Sequence, residues 1–114
     1  MTSPFTREQL LARRCAPVVG EPATDAAAVT AQLTCLPGWS VNDASIERCF
    51  RFEDFHDTIA FVNALAWVAH REDHHPHLEI GYDRCTVRWS THSVGGISVN
   101  DFICAAKTDA LHDR

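Results

Sequence analysis

Apolar residues recur every three or four positions across the middle of the chain, which is the spacing of an amphipathic helix. This helix is predicted to run from Phe55 to about Arg71, with Asp54 as its N-cap. Its apolar positions are Phe55, Ile59, Val62, Leu65, Ala66 and Ala69. Proline disfavours helical geometry at the residue before it, so Pro76 predicts that the helix ends near His74.

Further apolar residues widen the surface of the same helix beyond one stripe. They are Phe61, Trp67 and Val68. A helix that is apolar on more than one side is expected to pack against a sheet and also against a second subunit.

Alternating apolar and polar residues predict a β-hairpin on either side of this helix. Before the helix, strands are expected at residues 39–41 and 46–52, joined by a turn at residues 42–45. After it, strands are expected at residues 78–82 and 85–91. In the last strand one face carries Cys85, Val87, Trp89 and Thr91. These hairpins predict an antiparallel sheet.

Two more helices flank the hairpins. One is predicted from a cap at Thr24 through Thr34, and the last begins after Ser98 and runs to about Leu111. Asp101 follows Ser98 at the spacing of a capping box. The order α-β-β-α-β-β-α predicts an α+β domain, in which helices cover one face of the sheet.

The length of 114 residues holds one compact domain. Residues 1–23 contain three prolines and a glycine, and we expect a loosely ordered N-terminal arm with a short helix at residues 7–14. Residues 24–114 form the predicted single domain. The chain begins without an apolar leader and has no apolar stretch of about 20 residues, so we expect a cytoplasmic protein with no membrane partner.

Charge and cysteine content narrow the functional classes. The formal net charge is −5, so the basic surface that binds phosphate backbones is missing and nucleic acid is not expected as a partner. The five cysteines are scattered and odd in number: Cys15, Cys35, Cys49, Cys85 and Cys104. This pattern argues against a disulfide framework and fits a reducing compartment.

Histidine is the unusual component, with seven in the chain and four within residues 70–77. His70 and His74 are four residues apart and are expected to share one helical face, while His92 ends the polar face of the last strand. Imidazoles have a pKa of about 6.5 and can both give and take protons near neutrality. The same residues, His70, His74 and His92, are alternatively a metal site, and histidines at a helix end also cap free carbonyls.

Other residues have simpler interpretations. The capping box accounts fully for Asp101. Surface positions are expected for His56, His77 and His112, and core or interface positions for Trp39, Trp67 and Trp89.

One run of residues has a specific pattern, Glu72-Asp73-His74-His75-Pro76, followed at fixed intervals by Tyr82, His92 and Asp101. The chain also contains Pro37-Gly38-Trp39 and Asp101-Phe102-Ile103. Together these residues resemble the signature of the pterin-4a-carbinolamine dehydratase family over about residues 36–110. The resemblance implies a four-stranded antiparallel sheet with three helices on one face, assembled as a homodimer or homotetramer.

The resemblance implies an enzyme that removes water from 4a-hydroxytetrahydropterin to give quinonoid dihydropterin. This hydro-lyase reaction recycles a tetrahydrobiopterin-type cofactor and links the protein functionally to an aromatic amino-acid hydroxylase. It implies that His74 and His92 transfer protons at the 4a-hydroxyl and that His75 positions the pterin. No hydride or electron moves, so no cofactor or metal is expected.

The remaining residues of the resemblance are expected to bind or orient the substrate. Asp73 is expected to orient an imidazole or bind pterin nitrogens, and Tyr82 to form part of the wall of the site. Pro76 and Asp101 are the other expected substrate-binding or orienting residues. His70 also belongs to this set, although many family members have glutamate at that position. Two alternatives remain open, a histidine-rich metal-binding domain and a non-catalytic oligomerisation or regulatory module on the same fold.

Overall fold

The computed structural model describes residues 3–113 and contains, within that range, four α-helices, two short 3₁₀-helices and four strands. The α-helices are α1 Arg7–Ala12, α2 Ala26–Gln32, α3 Phe55–Glu72 and α4 Val99–His112. The strands are β1 Ser40–Asn42, β2 Ser45–Arg51, β3 His77–Ile80 and β4 Arg84–Trp89. The 3₁₀-helices are Leu33–Cys35 and His92–Val94. The predicted α+β class and strand order along the chain are confirmed.

The four strands form one antiparallel sheet in the order β1-β2-β4-β3. One face is buried against α3 and α4 and carries the core residues Ile46, Phe50, Cys85, Val87 and Trp89. The opposite face is polar, and there Arg88 forms ion pairs with Glu47 at 2.8 Å and Glu79 at 2.7 Å. Helices therefore cover one face of the sheet, as the alternating pattern predicted.

The helix starts follow the capping residues. Asp54 accepts a hydrogen bond from the N–H of Asp57 at 2.8 Å and caps α3, which confirms that prediction. The start of α2 differs, because Asp25 and not Thr24 accepts the capping bond, from Ala28 N–H at 2.8 Å. The aspartate carboxylate lies one position closer to the helix than the threonine, so α2 begins later than predicted.

The fourth helix is α1, the short helix expected within residues 7–14. Its Leu10 is fully buried in the core, and its Arg7 reaches the buried carboxylate of Asp109 on α4 at 3.4 Å. Asp109 also accepts hydrogen bonds from Trp39 Nε1 at 2.9 Å and Arg48 Nη1 at 2.6 Å. Burial raises the pKa of the Asp109 carboxyl, and these donors act in the opposite direction. These contacts fix the position from which residues 13–18 continue.

The division into an arm of residues 1–23 and a domain of residues 24–114 stays a prediction. Met1, Thr2 and Arg114, which belong to those ranges, lie outside the described residues. Across residues 3–113, none of the helices combines the length and apolar character needed to cross a bilayer.

The outer surface of α3 is partly apolar, as predicted. Trp67 is 67% exposed and Phe55 is 49% exposed, whereas Trp39 and Trp89 lie in the core. His56 and His77 are exposed, as expected. His112 differs from its expected surface position, because its ring packs edge-on against Phe50, Phe52 and Phe61.

Candidate active site

The end of α3 sets the position of the central histidine. The helix ends at Glu72, and Asp73 takes a left-handed backbone conformation with φ 50°. Asp73 N–H donates to the His70 carbonyl at 3.3 Å, and His74 N–H donates to the Ala69 carbonyl at 3.2 Å. This is the pairing of a Schellman motif, which turns the chain away from the helix axis.

The helix end at Glu72 agrees with the predicted end at about Arg71. The turn contradicts one prediction, because His74 lies beyond the helix and therefore does not share a helical face with His70. The ring of His70 remains exposed beside Trp67, with ring centroids 5.8 Å apart, whereas His74 points into the protein. Pro76 was expected to end the helix. The residue that ends it is the left-handed Asp73, which lies three residues before Pro76.

His74 forms a short hydrogen bond with a buried carboxylate. Its Nε2 lies 2.6 Å from Oδ1 of Asp101, and the Asp101 side chain is fully buried. The second oxygen, Oδ2, accepts from Ser98 N–H at 2.9 Å and from Thr91 Oγ1 at 2.8 Å. The capping box is present, but it occupies only one carboxylate oxygen. The interpretation that capping accounts fully for Asp101 is therefore wrong.

These bonds select one form of the imidazole. Asp101 receives donors on Oδ2 and is an acceptor on Oδ1, so the proton of neutral His74 belongs on Nε2. Nδ1 is then the acceptor nitrogen, and no group within residues 3–113 forms a hydrogen bond with it. His74 is thus arranged to take a proton through Nδ1 while Asp101 stabilises the resulting imidazolium.

The plane of the His74 ring is fixed by packing. It stacks on the fully buried indole of Trp89, with centroids 5.4 Å apart and an interplanar angle of 15°. Trp89 Nε1 donates to Thr108 Oγ1 at 3.2 Å, which holds the indole against α4. An aromatic face on one side and a carboxylate at the edge leave the imidazole little rotational freedom.

His74 borders an open cleft of about 330 Å³. One side of the cleft is formed by the end of α3 and the segment after β4, including Glu72, Asp73, Thr91 and His92. The other side is formed by an irregular segment that follows α1. We refer to residues 14–18 as the strap.

Glu72 attaches the first part of the strap to α3. Its side chain is buried; Oε1 accepts from Cys15 N–H at 2.8 Å, and Oε2 pairs with Arg14 Nε at 3.1 Å. Lys107 on α4 lies 3.9 Å from the same carboxylate. In the sequence, Glu72 stands out only as a member of the quoted motif, and no local pattern there indicates its contacts with the strap.

Asn100 attaches the middle of the strap to α4. Its amide accepts from Ala16 N–H at 3.2 Å and donates to the Ala16 carbonyl at 2.8 Å, so that it satisfies both backbone groups of one residue. Ser93 donates to the carbonyl of Val18 at 2.9 Å. The cleft wall is therefore held by side chains from outside the strap.

Replacing Asn100 with alanine is expected to loosen the strap. Loss of the two bonds to Ala16 is expected to lower the free energy of local opening of the strap by about 1.4 kcal/mol. This change corresponds to roughly tenfold faster amide exchange in this segment. Hydrogen–deuterium exchange on peptides covering residues 14–18 measures the effect. Asn63→Ala, at an exposed asparagine of α3, is the control. Unchanged exchange at Ala16 in Asn100→Ala would contradict this account of the strap.

The structure brings together only some of the residues predicted for the site. His74 and Asp101 are in contact, and Asp73 and His92 line the same cleft. His75 is exposed and Pro76 is partly buried, and neither is part of the cleft lining. The roles expected for these residues stay predictions.

Tyr82 lies far from this cleft within one chain. Its carbonyl accepts from Thr58 Oγ1 at 3.0 Å, near the first turn of α3, whereas His74 follows the last turn. A helix of 18 residues is about 27 Å long, so the two residues lie near opposite ends of α3. His70 is likewise not part of the cleft lining.

The residues of the metal alternative are not grouped. Within residues 3–113, no three histidine, cysteine, aspartate or glutamate side chains are arranged to hold a metal ion. His74 uses Nε2 for Asp101, and His70 is on the exposed side of α3.

Comparison with known proteins extends the resemblance noted in the sequence. The profile of the family described as "Pterin 4 alpha carbinolamine dehydratase" matches residues 22–111, which include His74, His92 and Asp101. The chain belongs to this family.

Two bacterial relatives in the family carry the name "Putative pterin-4-alpha-carbinolamine dehydratase". The protein of Xanthomonas euvesicatoria pv. vesicatoria is 59% identical over 90 residues, covering 77% of this chain and 76% of the relative. The protein of Stenotrophomonas maltophilia is 60% identical over 81 residues, covering 69% of this chain and 70% of the relative.

Two solved structures have the same fold. A crystal structure of the transcriptional coactivator/pterin dehydratase from Brucella melitensis aligns with a TM-score of 0.76 at 32% identity, covering 79% of this chain and 98% of that one. A pterin dehydratase-like protein described as a RuBisCO assembly factor in the α-carboxysome aligns with a TM-score of 0.55 at 21% identity, covering 65% and 86%. The second likeness is one of fold alone.

Within the family region the His74–Asp101 pair is built from α3, β4 and α4. The strap precedes residue 22 and so lies outside the region that the family profile matches. The cleft of this dehydratase-family protein therefore combines a family core with a wall from the preceding segment.

Proposed function

We propose that the protein is a hydro-lyase that removes water from 4a-hydroxytetrahydropterin to give quinonoid dihydropterin. The observation that carries this proposal is the 2.6 Å bond between His74 Nε2 and the buried carboxylate of Asp101, at the edge of an open cleft. Family membership supplies the substrate class, and the oriented imidazole supplies a group suited to its chemistry.

The reaction requires two proton movements and no electron transfer between molecules. The bond between C4a and the hydroxyl oxygen breaks, the hydroxyl leaves as water after gaining a proton, and N5–H loses a proton as the C4a–N5 double bond forms. Hydroxide is a poor leaving group, so a proton donor near the oxygen lowers the barrier, and a base near N5 completes the balance.

His74 and His92 are the proposed proton-transfer groups. Both line the cleft, and the Nδ1 atom of His74 is the nitrogen available to the substrate when Nε2 bonds to Asp101. Asp73 lines the same cleft and supplies a carboxylate for the polar edge of a pterin. His75, directly after His74, is the proposed positioning group for the ring, and Pro76 restricts its backbone.

We propose that the active form is a homodimer or homotetramer. Trp67 and Phe55 expose a large part of their apolar surface on α3, and covering such residues favours association. His70 is next to Trp67 on that surface, so assembly would bring it, with residues such as Tyr82, against another copy of the chain. The proposed role is to recycle a hydroxylase cofactor. We place this role in the cytoplasm and propose that the protein needs no cofactor of its own.

The decisive experiment generates the 4a-carbinolamine in situ and follows its disappearance by ultraviolet absorbance. Micromolar protein is expected to accelerate the loss above the spontaneous rate. A rate equal to the spontaneous one, in protein that is folded by circular dichroism, would refute the proposed activity.

A non-catalytic regulatory module is the second candidate. The Brucella structure, 32% identical, is described as a transcriptional coactivator as well as a pterin dehydratase, and the exposed apolar surface of α3 suits protein contacts. This candidate predicts normal assembly, no carbinolamine turnover, and no effect of His74→Ala on the biological readout.

A further inference from the structure

Two cysteine side chains meet directly beside the cleft. The Sγ atoms of Cys15, on the strap, and Cys104, on α4, are 3.5 Å apart. Cys15 is partly exposed and lines the cleft, whereas Cys104 is fully buried. The proposed dehydration uses neither thiol, so the pair is a separate chemical feature of the molecule.

The two thiols have different surroundings. Cys104 is buried near the carboxylates of Glu72 and Asp101, and its thiol is hydrogen-bonded to Cys15. The bond to Cys15, burial and the nearby negative charges raise the pKa of Cys104, so this residue remains a thiol. Cys15 faces the cleft and is the sulfur that a small solute reaches first.

Formation of a disulfide requires the two sulfur atoms to approach each other. A disulfide has a sulfur–sulfur distance of about 2.05 Å, so the separation must shorten by about 1.5 Å. Cys104 is held within α4, but Cys15 is in the irregular strap, which is free of helix and strand hydrogen bonds. The required movement therefore falls on the strap, whose backbone at Cys15 and Ala16 is held by the side chains of Glu72 and Asn100 and not by a helix or strand.

We propose that Cys15 and Cys104 form a dithiol site that a small hydroperoxide oxidises to a disulfide, fastening the strap to α4. The other three cysteines, Cys35, Cys49 and Cys85, form no thiol–thiol hydrogen bond within residues 3–113. Cys35 instead contacts Gln32 and the carbonyl of Phe5.

The chemistry balances in two steps. The Cys15 thiol gives up its proton and its sulfur attacks the terminal peroxide oxygen; the O–O bond breaks, and the departing oxygen takes up a proton, which gives Cys15 sulfenic acid and an alcohol or water. The Cys104 sulfur then attacks the sulfenic sulfur, the S–O bond breaks, and the thiol proton leaves with the hydroxyl as water. Two thiols are oxidised by two electrons, and the hydroperoxide is reduced by two.

The disulfide would act on the cleft wall. Cys104 is three residues after Asp101 on α4, so the new bond would attach the strap within one helical turn of the carboxylate that holds His74. In the reduced protein the strap is held by non-covalent contacts, among them the hydrogen bonds from Glu72 and Asn100 and the ion pair of Arg14 with Glu72. Oxidation would convert a wall held by hydrogen bonds into one held covalently.

The test treats the reduced full-length chain with hydrogen peroxide, followed by alkylation, intact mass measurement and non-reducing peptide mapping. The expected result is loss of two of the five thiols, a mass decrease of about 2 Da, and a peptide linking Cys15 to Cys104. Dithiothreitol is expected to restore all five thiols. Amide exchange of residues 14–18 is expected to slow in the oxidised protein.

The variants separate this pair from general cysteine oxidation. Cys15→Ser is the primary variant, because Cys15 is partly exposed whereas Cys104 is fully buried in the core; it is expected to abolish the mass decrease. Cys49→Ser, at an exposed cysteine on β2, is the matched control and is expected to behave as wild type. Disulfide formation that persists in Cys15→Ser would overturn the proposal. So would sulfinic acid on Cys15 without a linked peptide, or covalent dimers that disappear in Cys49→Ser.

Discussion

Replacing His74 with alanine is expected to lower kcat for carbinolamine dehydration by about 10²–10⁴-fold, the usual contribution of a positioned acid–base group. The reason is that the oriented Nδ1 atom is lost, while the cleft and its other histidine, His92, remain. The carbinolamine assay with the purified variant measures the effect, and circular dichroism confirms that the fold is retained.

The matched control for this variant is His56→Ala. His56 is the second residue of α3 and is exposed, and it lies at the opposite end of the helix from His74. It is expected to retain wild-type kcat. Full activity of His74→Ala would remove His74 from the reaction, and equal losses in both variants would point to a general effect on the helix.

The second large effect is expected for Asp101→Asn. With its amide oxygen facing Ser98 N–H and Thr91, asparagine would present an N–H₂ group to His74. His74 would then accept through Nε2 and carry its proton on Nδ1, the reverse of the arrangement in the native protein. Because Nδ1 would then face the substrate as a donor and not as an acceptor, kcat is expected to fall by about 10²-fold or more.

Two measurements distinguish this effect from loss of the helix cap. Nitrogen-15 NMR of the imidazole reports the tautomer, and it is expected to change from Nε2–H to Nδ1–H in Asp101→Asn. Ser98→Ala is the control, since it removes the N-cap oxygen and leaves the contact between Asp101 and His74 in place. It is expected to cost about 1 kcal/mol of stability with kcat near wild type. An unchanged tautomer together with unchanged kcat in Asp101→Asn would refute the positioning role of Asp101.

The sequence predicted those features of the fold and of the site that depend on local patterns, such as helix caps and the alternation of buried and exposed residues in a strand. The caps at Asp54 and Ser98, and the alternation that buries Val87 and Trp89, depend on residues within a few positions of one another. The resemblance to the family added His74 and His92 as members of one site, and both line the cleft.

The contacts that define the geometry are long-range. His74 and Asp101 are 27 residues apart, and they meet because the turn after α3 is packed against the start of α4. The spacing of Ser98 and Asp101 indicated a capping box and concealed the second use of the carboxylate. Asp73 could have been recognised as a left-handed position, because aspartate tolerates φ > 0 better than most residues, but proline was the stronger local signal.

The strap could not be anticipated from periodicity, because it has none. Its place depends on two side chains distant in sequence: Glu72, which binds the Cys15 N–H and the Arg14 side chain, and Asn100, which binds the backbone of Ala16. Backbone recognition at Cys15 and Ala16 requires no particular side chain at those two positions. The segment therefore carries no recognisable motif.

The location of the strap before residue 22 has an evolutionary consequence. The groups proposed to move protons lie within the region that the family shares, whereas one wall of the entrance to them is encoded in a short stretch that precedes this region. Insertions, deletions and substitutions in that leading stretch would reshape access without disturbing the proton-transfer pair. Relatives that agree across the shared region can accordingly differ in which molecules they admit.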